Sequence, residues 1–264
     1  MMNFTFIPIA VGISLFLGML LFYAMGRRLG FKHLNNDAET DGKLGGGTIE
    51  AAIFALFGLL IAFTFSGAAS RFDDRRHLIA EETNAIGTAY LRLDIVEADA
   101  RTELRALFRR YTDSRLEYYK RLPNVEAAQQ EWNSSMALQN TIWTQAVAAC
   151  RMQSTPSACV VLLPALNAMI DITTTRKMAM MMHPPKIIFV LLFVFAYGCS
   201  FIAGYGAAKN RPHRWVHPVV FATMTAIAVY VIVDIEYPRF GVIRVDAADQ
   251  ILIELRESMN RKAD

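Results

Sequence analysis

Charge is what this sequence has least of. Only 19% of its 264 residues are Asp, Glu, Lys or Arg, while 54% are hydrophobic; a soluble domain carries about 25% and about 45–50% respectively. The deficit is concentrated. No charged residue occurs in Met1–Gly26, Ala51–Ser70, Ile187–Ala208 or Trp215–Val233. Each run approaches the roughly 20 residues a helix needs to cross a hydrocarbon core about 30 Å thick, so lipid is the expected solvent. Two further uncharged stretches, Trp132–Cys150 and Met152–Ile170, do not qualify as spans. The first holds Asn133, Ser134, Ser135, Gln139, Asn140 and Gln145, and the second Gln153, Pro156, Pro164 and Asn167; their apolar residues recur at helical spacing, as in amphipathic helices packed on protein.

Other absences narrow the function. Arg27, Arg28 and Lys32 follow the first apolar run instead of preceding it, and no A-x-A-like site closes it, so a retained first span is expected and not a signal peptide. A formal net charge of +3 is too small to argue for nucleic acid. Gly45, Gly46 and Gly47 are read as a linker, because no Lys-Ser/Thr follows to make a phosphate loop. The sequence has no G-x-S-x-G, H-E-x-x-H or Cys/His pair at ligand spacing. His33, His77, His183, His213 and His217 are scattered, the last two flanked by Pro212 and Pro218 about Trp215. No catalytic site, cofactor or metal is expected, and the protein is read as not an enzyme.

What is present is all-α: four transmembrane helices and an extramembrane helical bundle. The expected layout is a transmembrane hairpin over 1–70 (spans about 4–26 and 49–70), a helical domain over 71–185, a second hairpin over 186–236 (spans about 186–208 and 215–234), and a tail over 237–264. Within the central segment, a helix continues the second span from Arg71 to about Leu93. After a break near Asp94–Asp99, a second runs to Arg121, with Leu104, Leu107, Phe108, Tyr111, Tyr118 and Leu122 on one face and Glu97/Arg101 and Glu117/Arg121 as i,i+4 pairs on the other. Pro123 and Asn124 mark a turn. A third helix, about Val125 to Cys150, carries Ala128, Trp132, Met136, Gln139, Trp143, Ala146 and Cys150 in its stripe. Pro156 and Ser157 open a fourth, which ends before His183-Pro184-Pro185. Alternation with period two is confined to Gly241–Val245. Asp246 is read as the N-cap of a tail helix with Ile251, Leu255 and Met259 on one side.

Orientation is balanced. The two short loops hold seven basic residues (Arg27, Arg28, Lys32, Lys43, Lys209, Arg211, Arg214), and the opposite side holds eight near its span ends (Arg71, Arg75, Arg76, Arg176, Lys177, Lys186, Arg239, Arg244). Weighting the first span alone would put the central domain outside the cytosol. Cys150 and Cys159 flank a predicted turn, where either a hairpin disulfide or two small buried hydrophobes fits. Cys199 is read as packing.

The second span is the informative one. Ala51, Ala55, Gly58, Ala62, Ser66 and Ala69 share one face, and Phe54, Phe57, Ile61 and Phe65 form a stripe beside it. Small faces let helices approach closely in lipid, and a ring of Phe and Ile would make a hydrophobic constriction if several subunits surrounded an axis. Both readings stand. At its end, Arg71, Asp73, Asp74, Arg75 and Arg76 form either a charged mouth that concentrates ions or a solvated helix face. Glu50, Asp234 and Glu236, at span ends, are read as water-facing anchors.

The stretch Phe63-Thr-Phe-Ser-Gly-Ala-Ala-Ser-Arg-Phe-Asp-Asp-Arg-Arg-His-Leu-Ile, with Glu82-Thr-Asn-Ala-Ile-Gly-Thr-Ala-Tyr, Leu163-Pro-Ala-Leu-Asn-Ala-Met-Ile-Asp and Asp234-Ile-Glu-Tyr-Pro-Arg-Phe-Gly-Val-Ile-Arg-Val, resembles the bacterial bestrophin-like family, a domain of unassigned activity. The resemblance covers most of the chain from Gly47 onward. It implies a multi-pass protein of the bacterial inner membrane, with the lipid bilayer and further copies of itself as partners. True bestrophins are pentameric anion channels whose second helix lines the pore. Ala69-Ser70 and Phe72-Asp73 match their stretch at the end of that helix, while Arg75 and Arg76 replace their paired tryptophans. The alternative is a membrane-anchored sensor or interaction protein without conductance.

Overall fold

In the computed structural model, residues 6–36, 47–122, 124–152, 157–209 and 215–261 are described. Gly45, Gly46, Lys43, Pro123, Gln153, Pro156, Arg211, Pro212, His213 and Arg214, which entered the sequence reading, lie outside them. Among the described residues eight α-helices follow one another: α1 Phe6–Asn36, α2 Gly47–Leu91, α3 Ala98–Arg121, α4 Val125–Met152, α5 Ser157–Met181, α6 Lys186–Gly206, α7 Val216–Glu236 and α8 Gln250–Arg261. Single 3-10 turns occupy Arg92–Ile95, Ala207–Lys209 and Asp246–Asp249. Among the described residues there is no strand, so Gly241–Val245 is bend and irregular backbone.

Among the described residues, four helices are long and apolar enough to cross a membrane. The charge-free runs set where these lie but not where the helices stop. α1 continues through Arg27, Arg28 and Lys32 to Asn36. α2 runs 45 residues without a break, about 67 Å at 1.5 Å per residue, because nothing between Gly47 and Leu91 removes an amide or demands a turn. Gly47, read as linker, is its first residue.

The chain divides into two compact units. The first comprises α1, α2 as far as Ser70, α6, α7 and Gly241–Ile243. Its core is Leu15 and Met19 of α1, Phe57 of α2, Leu192, Ala196 and Cys199 of α6, and Ala222, Val229 and Val233 of α7. In lipid, burying apolar surface gives helices little reason to associate, so close packing must. Glycines supply it between α1 and α6. A Cβ on Gly26 would lie 2.0 Å from the Phe201 carbonyl oxygen, and one on Gly204 would lie 2.0 Å from that of Tyr23. Only a residue without a side chain fits either place. Beside them the rings of Phe22 and Tyr197 stack at 4.8 Å.

The second unit comprises α2 from Arg71, α3, α4, α5, Pro238–Phe240 and the chain from Arg244. Its core joins Ile86, Leu93, Leu104, Phe108, Tyr111, Ile142, Leu162, Leu166 and Leu252, each fully buried side chain contributing about 1.5–3 kcal/mol. α4 starts at Val125 because the Asn124 carboxamide oxygen accepts the Ala127 amide at 3.1 Å, an N-cap bond. Cys150 and Cys159 are joined by a disulfide, Cα–Cα 5.6 Å, that ties the end of α4 to the start of α5.

Three sequence expectations are corrected here. Ile142, not Trp143, is the buried residue at that turn of α4, and Trp143 is exposed. In α8, Leu252 is buried and Ile251 is exposed. Asp246 caps nothing: its carboxylate pairs with Arg239 at 2.8 Å and Arg244 at 2.5 Å, and a 3-10 turn intervenes before α8.

Candidate functional site

In the first unit, α2 presents two different faces. Phe57, 3% exposed, packs into the unit's own core, its ring 6.5 Å from that of Phe195. Phe54 meets Phe221 at 5.6 Å, and Ile61 lies against the same cluster. These three residues of the Phe/Ile stripe therefore hold α2 to its neighbours. Phe65, on the edge of the stripe, is 44% exposed. The exposed face carries the small residues Ala51, Ala55, Gly58, Ala62 and Ser66, flanked by Leu56, Leu59 and Phe63, the last 69% exposed. Such a face in a membrane meets either lipid or another helix, and its small residues permit close approach.

The charges at the start of the second unit separate in the same way. Arg75 is buried; its Nε donates to the Ala179 carbonyl at 3.1 Å and its Nη2 to that of Met182 at 2.8 Å. Ala179 is in the last turn of α5 and Met182 directly follows it, where carbonyls lack a helical partner and the helix dipole is negative. Arg71 is half-buried, and Asp73, Asp74 and Arg76 are exposed, Arg76 reaching Asp73 at 3.4 Å. An exposed pair of that kind contributes at most about 1 kcal/mol.

The span-end carboxylates differ from the anchors expected. Asp234 is 1% exposed, and its two oxygens accept the Val242 amide at 3.0 Å and the Ile243 amide at 2.7 Å. A Cβ on Gly241 would lie 2.2 Å from that carboxylate. Glu236 is also buried, 3.1 Å from Nδ1 of His183, whose ring stacks on Tyr237. A buried carboxylate needs such partners, because desolvation without them is costly. Glu50 is only partly exposed.

The densest polar arrangement is in the interior of the second unit. Glu82 of α2 accepts Arg115 Nε of α3 at 2.6 Å and also binds Arg176 Nη1 of α5. Tyr119 lies between them. Its hydroxyl accepts Arg115 Nη2 at 2.5 Å and donates to Glu82 at 3.3 Å, and its ring receives Arg176 at 3.7 Å and Arg239 at 4.9 Å. Asp249 extends the cluster, bonding Arg176 at 3.0 Å and Arg239 at 2.5 Å. Arg115 Nη1 lacks a hydrogen-bond partner, but the guanidinium lies over Tyr118 and Trp132 at 5.4 and 5.3 Å, a cation–π environment. Burial pushes the Glu82 pKa up, but the charges and hydrogen bonds of Arg115 and Arg176 outweigh it and hold it down at about 2. Burial raises the Tyr119 phenol well above its ordinary value. Next to this cluster Gln139 donates to both Tyr111 and Thr173 at 3.0 Å. Among the described residues no three His, Cys, Asp or Glu converge as a metal site.

A long two-faced second span running on into a helical bundle is an architecture with known examples. A family model, Bestrophin-like domain, matches residues 10–249. The chain belongs to the bestrophin-like family. Its fold is similar to that of a bacterial bestrophin homologue from Klebsiella pneumoniae carrying a tyrosine-to-alanine mutation: TM-score 0.66, 13% identity, 92% of this chain and 98% of that one covered. A tryptophan-to-alanine variant from Klebsiella pneumoniae aligns with TM-score 0.66 at 12% identity, over 93% and 98%. No curated protein matches the sequence. The protein is thus an all-helical, multi-pass membrane protein of bestrophin-like fold.

Sequence reading of this bestrophin-like chain does not reveal the buried cluster, although Glu82 lies in a quoted motif and Arg176 and Arg239 are counted only as charges near span ends. A usable signal existed. Arg115 falls at i+4 from Tyr111 and i+7 from Phe108, on the face assigned to the core.

Proposed function

We propose that this protein is an oligomeric ion channel of the bacterial inner membrane, in which the exposed face of α2 lines a path between copies of the chain. The observation that carries the reading is the division of α2. Phe54, Phe57 and Ile61 are spent on packing within one chain, while Phe65, Phe63, Leu59 and the small residues beside them are left uncovered. Repeated about an axis, that uncovered face would form a narrow hydrophobic conduit of the kind that gates by dewetting. Of the stripe named from the sequence, Phe65 is the residue proposed to line it. Arg71 and Arg76 balance Asp73 and Asp74 at its end, and Arg75 is a structural ligand of α5, so this ring carries no excess of either sign. Preference for small inorganic anions and assembly as a pentamer are supported by the bestrophin kinship, not by that ring.

The test is halide flux through purified protein in liposomes, with its mass in detergent. Flux above empty vesicles from a closed oligomer, changed by Phe65→Ala, supports the channel. Phe57→Ala is expected to lower thermal stability instead. An absence of flux under varied pH, calcium and voltage would favour the reading of a membrane-anchored interaction protein.

A further inference from the structure

With four spans in the order given, the segment Arg71–Met182 and the tail after α7 emerge on one side of the membrane, and the short loops Arg27–Thr48 and Lys209–Arg214 on the other. We propose that the second unit lies outside the cytosol, and that Cys150 and Cys159 are the site at which a disulfide-bearing oxidoreductase of that compartment acts on it.

Charge is the first argument. Lys and Arg hold a short loop in the cytosol, whereas a long segment or a domain is translocated largely regardless of its charge. The balance of basic residues across all span ends counted Arg71, Arg75, Arg76, Arg176 and Lys177 against the loops. The fold changes their weight. Arg71–Met182 belong to a compact unit with its own apolar core, so these five are charges of a domain and not of a loop. Lys186, Arg239 and Arg244 remain on that side, against Arg27, Arg28, Lys32, Lys43, Lys209, Arg211 and Arg214 in the two short loops. Seven against three puts the loops in the cytosol. The thiols are the second argument, and it is independent of the first. The chain has three cysteines. Cys199 is buried in the core of the first unit. The other two are bonded to each other, their Cα atoms 5.6 Å apart as a disulfide requires, so the second unit carries no free thiol. Cytosolic reductants keep such pairs open, and a disulfide persists where the surroundings oxidise. In closing, the pair gives up two electrons and two protons to the disulfide of the oxidoreductase, through a mixed disulfide, and the enzyme leaves as its dithiol. Whatever the second unit binds is then met outside the cytosol. The placement goes beyond the channel reading and holds whether or not the protein conducts.

The test uses the full-length chain in bacterial cells, with Gln130→Cys or Asn35→Cys introduced one at a time. Both positions are exposed, Gln130 in the second unit and Asn35 at the loop end of α1, and neither change alters the charge balance. A membrane-impermeant maleimide is given to sealed spheroplasts before or after lysis. Gln130→Cys should label as fully before lysis as after, and Asn35→Cys only after. The unaltered chain supplies a readout that needs no variant: in cells quenched with acid and then alkylated under denaturing conditions, Cys150 and Cys159 should resist the alkylating agent until a reductant is added. The opposite labelling pattern, labelling of both positions before lysis, or a native pair that is alkylated without reductant overturns the proposal.

Discussion

Replacing Glu82 with Gln keeps the shape of the side chain and removes the one charge that Arg115 and Arg176 share. The magnitude follows from the structure. Glu82 titrates at about 2 in place of 4.5, and a shift of that size corresponds to roughly 3 kcal/mol of preference for the ionised form in the folded state. Its sign is that of a depressed acid. The stability it supplies is complete above pH 4.5, where the unfolded chain is also ionised, and is lost as pH falls from there towards 2. Gln also strands Arg115, whose only carboxylate partner among the described residues is Glu82, and breaking one side of a buried pair costs about 3–5 kcal/mol. The assay is thermal melting of purified protein followed by far-ultraviolet circular dichroism. At pH 7 the midpoint of Glu82→Gln should fall by roughly 10 °C, and its stability should no longer drop between pH 4.5 and 2 by the wild-type amount. Adding Arg115→Met should recover part of the loss, since the stranded charge is then gone. A midpoint within 2 °C or so of wild type, or a double variant no better than the single, would refute the electrostatic account.

Three other outcomes are expected. Gly204→Ala places a Cβ against the Tyr23 carbonyl, so α1 and α6 must separate; aggregation or a broadened melt on size-exclusion and scanning fluorimetry should follow, while Gly47→Ala, where nothing lies within 4 Å, should behave as wild type. Dithiothreitol, or the double change of Cys150 and Cys159 to Ala, opens a short loop and should lower stability by about 2–3 kcal/mol, with no additional effect of reductant on the double variant. Asp234→Asn removes an acceptor from the Val242 and Ile243 amides, and faster hydrogen exchange at those two amides is expected, with a stability loss of about 1–3 kcal/mol.

The membrane character and the all-helical class were legible because they depend on sums over many residues. A run of twenty without charge has few alternatives to a span. The apolar face of α3 was legible for the same reason, since Leu104, Phe108 and Tyr111 repeat at the helical period. Individual registers were less so. In α4, Ile142 and Trp143 are adjacent and both apolar, and only the partners in space decide which turns inward. The glycine contacts of α1 were invisible because their meaning lies in carbonyls of α6, some 180 positions away. The ion cluster was hidden by its mixture of types: Glu82, Arg115 and Arg176 each sit on an inward face, but a single charge there looks like an interruption until its opposite appears on another helix. Asp234 and Glu236 were placed correctly at the end of α7 and given the wrong surroundings, since the segment that covers Asp234 follows it in the chain.

The contact of Gly26 with Phe201, and of Gly204 with Tyr23, also sets a timetable. One side of this seam leaves the ribosome early and the other some 175 residues later. At synthesis rates of about 5–20 residues per second, the first helix waits roughly 10–35 s in the bilayer before its partner exists. During that interval the glycine groove is open to lipid and to other nascent helices, and a chaperone or insertase that shields it would act at the step where this protein is most exposed to mispairing.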